Sequence, residues 1–187
     1  MGVWCASAPS SGGDGQADLA IGHFPAVITD LTARAQSGEN VSYIHNRLFQ
    51  GDLVCVMRCG HALAQGPFTL DDFCEARHML VSFSGRAFGF IDEALGALGR
   101  TRRVVLTVNQ FFTAGKVVTR SDLLTVMPRH FVNVTGFADQ FVLRELPFPA
   151  PVILVDALWH QRQAGSSAHA WLRAQVADLA QLAFGSP

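Results

Sequence analysis

The patterned part of the chain opens at residues 17–22, ADLAIG, a short apolar strand closed by glycine. Residues 25–46 hold no sustained period and read as loop with a short helix. Residues 52–58 form an apolar run that predicts a strand, and 79–83, 104–108, 123–127, 141–146 and 152–158 repeat that signature. Between these runs the period changes to that of a helix. Thr69 precedes 70–75, with Asp71 and Asp72 in the first turn, where negative side chains suit the positive end of a helix dipole. Ile91, Leu95 and Leu98 recur at helical spacing over 88–98, and Gly99 supplies the stop. Further helices are predicted at 112–119 and, begun by Pro128, through Val134. The longest pattern, 168–183, places Trp171, Leu172, Val176, Leu179 and Leu182 on one side. Strands thus alternate with helices, and the strands are unbroken apolar runs. That predicts an α/β fold whose sheets are covered on both faces.

Composition narrows the classes of function. Of 187 residues, 49% are apolar and 16% charged, against a usual charged share of about 25%. Such a chain can build a substantial core and is not expected to be disordered. Fourteen Lys+Arg against 15 Asp+Glu give a net charge of -1, so no basic field exists to hold a polyanion and these residues are not expected to bind DNA. No apolar run approaches the ~20 residues of a membrane-crossing helix, and no membrane partner is expected. Residues 1–16 lack a basic start and a secretory apolar stretch. They are small, polar and glycine-rich, which predicts a flexible segment and a cytoplasmic protein. Cys5, Cys55, Cys59 and Cys74 are irregularly spaced, so reduced thiols are expected. The spacing of Cys55, Cys59 and His61 fits no zinc pattern, and no metal is expected.

In α/β folds, ligands sit beyond the carboxyl ends of strands, where helix N-termini present free backbone N–H groups. Two junctions here have suitable chemistry. Residues 82–89, SFSGRAFG, offer Ser84 and Arg86 for a carboxylate or phenolate and Phe88 as an apolar wall. Residues 109–113, NQFFT, offer Gln110 and Thr113 as hydrogen-bonding groups beside Phe112. Residue type alone also allows Ser84 and Thr113 to be helix caps and the phenylalanines to be core. Enzyme motifs are absent. VSFSG has Val81 where a nucleophile elbow needs glycine, Gly115-Lys116 is followed by Val117 and not by a hydroxyl, and no H-E-x-x-H occurs. His61, His78, His130 and His160 flank predicted element ends, where histidine is usually structural. Arg100, Arg102 and Arg103 read as a solvated turn. No catalytic constellation emerges, and neither an enzyme nor a cofactor is expected.

A string of motifs then gains weight from its order: ADLAIG (17–22), LVCVMRCGHALA (53–64), FTLDDF (68–73), RHMLVSFSG (77–85), FIDEALGALGRTRRVVLTV (90–108), SDLLTVMPRHF (121–131), LRELPFP (143–149) and ALWHQR…AHAWLR (157–173). In this order the chain resembles the effector-binding domain of LysR-type transcriptional regulators, most nearly the subgroup that answers nodulation flavonoids, salicylate and nitroaromatic compounds. The resemblance covers nearly everything after Gln16. It implies a type 2 periplasmic-binding-protein-like fold: two α/β lobes joined by crossover strands, with the effector between them. Mapped by motif, lobe I would hold 17–57 and 151–187, lobe II 58–150, and the crossovers would lie near 56–61 and 148–154.

The resemblance also favours the two junctions as effector contacts and adds Trp159 and His160 near the returning crossover. Two positions that are histidine in the salicylate-responsive relatives align with Phe88 and Gln110, so the same ligand does not follow. The family's winged helix-turn-helix, and the strand–helix–strand–helix segment before ADLAIG, have no counterpart here. Lobe I is therefore expected to be incomplete, with apolar strand edges exposed at 17–21 and 152–158, and DNA contact to belong to a missing N-terminal domain. The implied function is sensing of a small aromatic or aromatic-acid effector by a homo-oligomer, dimer or tetramer. A solute-binding protein of a transporter, an enzyme on the same scaffold and a dimerisation-only remnant are the alternatives.

Overall fold

The computed structural model describes residues 18–82 and 86–185. The flexible segment expected at 1–16 lies outside these residues. The chain divides into two units, one of 1–50 with 153–187 and the other of 51–152.

The first unit is a three-stranded sheet between two helices. β1 (Leu19–Gly22) leads into α1 (Pro25–Gln36), then β2 (Tyr43–Gly51), whose last residue already belongs to the second unit; β8 (Ile153–His160) and α6 (Ser167–Phe184) close it. β8 is the central strand, antiparallel to β1 with Leu19 opposite Trp159, and β2 flanks it on the other side. Alternation along β8 sends Ala157 and Trp159 into a core with Val176 and Ala180 of α6. It sends Leu158 to the opposite face, against Phe24, which precedes α1, and Leu31 of α1. Two expectations are corrected here. Residues 25–46 are not mainly loop: α1 escaped notice because it has Pro25 at its start but no side-chain cap, and β2 because His45, Asn46 and Arg47 interrupt its apolar pattern. Residues 153–158 form no exposed edge, because β1 and β2 cover both sides; the edge positions fall to β1 and β2.

The second unit carries a five-stranded mixed sheet in the order β5-β4-β6-β3-β7. Its elements in chain order are β3 (Leu53–Arg58), α2 (Leu70–Glu75), β4 (Arg77–Val81), α3 (Phe90–Ala97), β5 (Arg103–Val108), α4 (Phe111–Val118), β6 (Leu124–Pro128), α5 (Phe131–Val134) and β7 (Phe141–Glu145). The motif mapping places β3 in lobe I through residue 57. It pairs antiparallel with both β6 and β7, so the division falls at 50–51 instead. Pro128 ends β6 and starts no helix. Met79, Val54, Val56 and Met127 pack on one face against Ala114 and Val118 of α4. Gly115 is needed there, since a Cβ would stand 2.9 Å from Thr135 Cβ. Thr69 caps α2 reciprocally with Asp72, and Gly99 (φ 66°) ends the turn after α3, as its position predicted.

Two further corrections concern polarity. Arg102 does not lie in a solvated turn: its guanidinium is buried against Asp92 of α3. The apolar side of α6 is largely exposed, with Trp171, Leu179 and Leu182 facing solvent while His169 and Ala180 are buried.

His78 of β4 is fully buried, its Nε2–H donating to the Phe73 carbonyl at 2.6 Å. Burial pushes its pKa down to about 4, from about 6.5 in an unfolded chain. The folded state therefore keeps the ring neutral where the unfolded state takes a proton. Stability should fall as pH drops from about 6.5 to about 4, by roughly 3 kcal/mol in all. Urea titrations across that window should give a clearly shallower slope for His78→Asn than for the parent. Equal slopes would mean that another group carries the dependence.

Candidate functional site

β4 runs parallel to both β5 and β6, so these three strands end on one edge of the second sheet. Val81 and Val108 are register partners, and Ser82 N–H donates to the Val108 carbonyl at 2.8 Å. That bond starts segments 82–89 and 109–110 side by side. β4 and β5 therefore deliver both predicted junctions to neighbouring points, as chain passes towards β5 by way of α3 and back across towards β6 by way of α4.

The two helix starts there differ. At α3, Asp92 Oδ2 accepts from Gly89 N–H at 2.8 Å and Arg102 grips the same carboxylate, so that terminus is already occupied by a negative charge. At α4, Gln110 is the N-cap and makes no side-chain cap bond. Thr113 lies inside the helix and does not cap it, which removes that structural alternative. Phe112 is 57% exposed with its ring 5.8 Å from Phe137, and Phe88 is 60% exposed. Arg86 and Gln110 are exposed. Ser84 lies outside the described residues.

Trp159 and His160 are placed differently from expectation. Both stand at the end of β8 remote from the crossover at 152–153, about 20 Å along an extended strand. Trp159 packs in the α6 core beneath Arg173, whose guanidinium lies 4.7 Å from the ring centroid. His160 accepts from Arg162 N–H at 3.0 Å and meets Tyr43 edge-on. Their environments give them packing and capping work at the wrong end of the strand for contact with the returning crossover.

A third group at the β4–β6 edge was missed. β6 ends in Pro128, and Arg129 N–H donates to Asp52 O at 2.8 Å, tying the turn to the entry of β3. His130 follows, its pKa lowered by burial, and Phe131 stacks on Phe111 at 4.7 Å. Aligning the ends of the predicted strands would have found this turn, since β6 is parallel to β4. Hollows of about 190 and 310 Å³ occur among the described residues, but none of the predicted site residues lines either. The smaller lies by Asp52, Glu145 and Phe148 and falls below the ~300 Å³ usual for a ligand pocket. The larger, at His61, Asp72 and Asp122, opens on the opposite edge.

Among the described residues no three His, Cys, Asp or Glu side chains are grouped to hold a metal. Burial pushes the Cys55 thiol up to about 12, while Cys59 is exposed with its Sγ 3.9 Å from the Asp139 carbonyl. His61 caps a short turn by accepting from Leu63 N–H at 3.0 Å. No helix of the described residues is long and apolar enough to cross a membrane.

Comparison with known proteins gives this two-unit α/β arrangement its family. The LysR substrate binding domain matches residues 13–181. The chain belongs to the LysR substrate-binding domain family. Its type 2 periplasmic-binding-protein-like fold is shared with the regulatory domain of MexT, a transcriptional activator in Pseudomonas aeruginosa, at TM-score 0.69 and 24% identity over 87% of this chain and 72% of that one. The effector-binding domain of QuiR, solved with shikimate, gives TM-score 0.66 at 14% identity over 91% and 75%. In sequence the chain is 30% identical over 168 residues to the HTH-type transcriptional activator NahR of Pseudomonas putida, covering 89% of this chain and 51% of that protein. It is 29% identical over 167 residues to NagR of a Ralstonia species, covering 88% and 51%. This LysR-family chain spans about half the length of those relatives.

Proposed function

We propose that this LysR substrate-binding chain senses a small aromatic acid at the edge where β4, β5 and β6 end. The observation that carries the reading is the start of α4, which the Gln110 side chain does not cap, lying just beyond the Ser82–Val108 hydrogen bond. The positive end of the α4 dipole suits a carboxylate. Arg86 supplies a second cation for it. Phe88 and Phe112 are aromatic surfaces exposed on the same edge, and each can pack on a ring. Gln110 discriminates ring substituents by hydrogen bonding, and Ser84 and Thr113 complete the set. That the relatives NahR and NagR are named transcriptional activators supports sensing over turnover. DNA contact is assigned to a helix-turn-helix elsewhere in a regulator of the NahR kind, working as a homo-oligomer in the cytoplasm. A solute-binding role and a dimerisation-only role gain no specific observation.

Calorimetry with benzoate, salicylate and a flavonoid tests this. At least one should bind with saturable heat. Arg86→Ala and Gln110→Ala should each weaken that compound, Arg86→Ala by about 10–100-fold, as expected when a charge-assisted hydrogen bond is lost. Unchanged affinity in both variants, or no saturable heat from any compound, overturns the assignment.

A further inference from the structure

We propose that Arg47 and His45 of the first unit form a docking point for a small oxyanion, a carboxylate or a phosphate, separate from the aromatic-acid site assigned to the second unit.

The inference starts from a buried carboxylate. Asp156 sits on the central strand β8 with its side chain 2% exposed. A charge so far removed from water must be compensated. Alternation along β2 puts His45 and Arg47 on one face, where both reach Asp156. Arg47 Nε–H donates to Oδ1 at 2.9 Å, and His45 Nδ1 stands 3.6 Å from the same oxygen.

Arg47 makes this bond through Nε alone, as the more exposed Arg34 does to Glu39, whereas two other arginines spend more of the fork on their carboxylates. Arg102 grips Asp92 with both Nε and Nη2, at 2.8 and 3.0 Å. Arg58 does the same to Asp122, at 2.9 and 2.7 Å. Each of those guanidinium groups gives one whole side of its fork to its carboxylate. Arg47 gives Nε alone. Its two Nη nitrogens have no hydrogen-bond partner among the described residues, although two-thirds of the side chain is out of solvent.

The result is a guanidinium whose orientation is fixed by a buried anion and whose two-nitrogen end remains unspent. That end carries parallel N–H donors at the spacing of two oxygens in a carboxylate or phosphate. His45 stands beside it, about one-third exposed. Its Nδ1 edge is turned to Asp156, so Nε2, on the opposite side of the ring, is left for a ligand oxygen. Asp156 thus acts on the ligand through Arg47 and is a positioning residue. A stitch between β2 and β8 would need only the bond already made, and it would be indifferent to added anions.

The test is an NMR titration of the whole chain with sodium benzoate and, separately, inorganic phosphate, at constant ionic strength with chloride as control. The Arg47 side-chain Nε–H and the backbone amides of 44–48 are followed. Saturable shifts are expected there and not with chloride. Saturation by benzoate alone identifies a carboxylate site, by phosphate alone a phosphate site, and by both a site for either.

Arg47→Lys keeps a charge opposite Asp156 but removes the two-nitrogen end, and should weaken binding at least tenfold. The double variant Arg47→Met/Asp156→Leu removes cation and anion together, leaves no buried charge stranded, and should abolish the response while retaining the folded spectrum. Shifts no larger than those from chloride, or saturable shifts that survive in both variants, overturn the proposal. Arg86→Ala separates the two sites. Benzoate shifts lost in that variant, with no movement at Arg47 in the parent chain, would leave the aromatic-acid reading standing and remove this one.

Discussion

Replacing Arg102 with alanine should destabilise the chain by about 3–5 kcal/mol, the cost of leaving one member of a buried ion pair alone. The Arg102 side chain is 1% exposed and that of Asp92 11%. Burial alone would raise the Asp92 carboxyl. The hydrogen bonds and charge of Arg102, with the Gly89 N–H, outweigh it and hold the pKa below the usual carboxylate range. A carboxyl whose pKa is depressed by folding adds stability at every pH above its unfolded value of about 3.9 and loses it as pH falls through the folded value. The full penalty of the substitution should therefore be present at neutral pH and shrink in acid. The pair also fixes the start of α3, and with it the exit of the segment carrying Arg86 and Phe88. Denaturant melts at pH 7 and pH 3 check this. A loss at pH 7 under about 1 kcal/mol, the usual worth of a solvated surface pair, would show that water reaches the site. The double variant Arg102→Met/Asp92→Leu should recover most of the loss, because it strands no charge.

Phe73→Ala should cost about as much, roughly 3–5 kcal/mol, as large-to-small changes at closed core sites do. Phe73 is fully buried and touches three rings: His78 at 4.5 Å, Phe148 at 5.2 Å and Phe68 at 6.2 Å between centroids. α2 has six residues, far fewer than the ~12–15 at which an isolated helix becomes even marginal. The capping box orders its first turn, but Phe73 is what holds it to the sheet. Phe73→Leu, which keeps most of the volume, should lose only about 1 kcal/mol. Equal melting points for the alanine and leucine variants would mean that the pocket collapses around the cavity and that the rings do not act as a unit.

The inner strands β3 and β6 of the second sheet were legible because nearly every residue in them is buried and so leaves a continuous apolar run. α1 and β2 were not. A three-stranded sheet covered by one helix on each side leaves β2 at an edge, where His45, Asn46 and Arg47 are tolerated and hide the period. Arg102 was misread for a related reason, since a run of arginines gives no sign of which one has a carboxylate waiting ten residues earlier. The apolar side of α6 was visible in its spacing, but spacing cannot say that Leu182 ends up 84% exposed. For the candidate site, the strand-end rule located both junctions, and their adjacency depended on strand order, which no local pattern encodes. Trp159 and His160 were drawn in by their nearness in sequence to a crossover, whereas β8 carries them away from it.

The second unit is a single unbroken stretch, 51–152, whereas the first is assembled from the two ends of the chain with β8 at the centre of its sheet. During synthesis from the N-terminus, the middle stretch can therefore take its shape while β8 and α6 are still inside the ribosome. Residues 18–50 have to wait, without their central partner, until β8 has emerged. A premature stop shortly after Val152 would spare one unit and leave the other with no sheet to form.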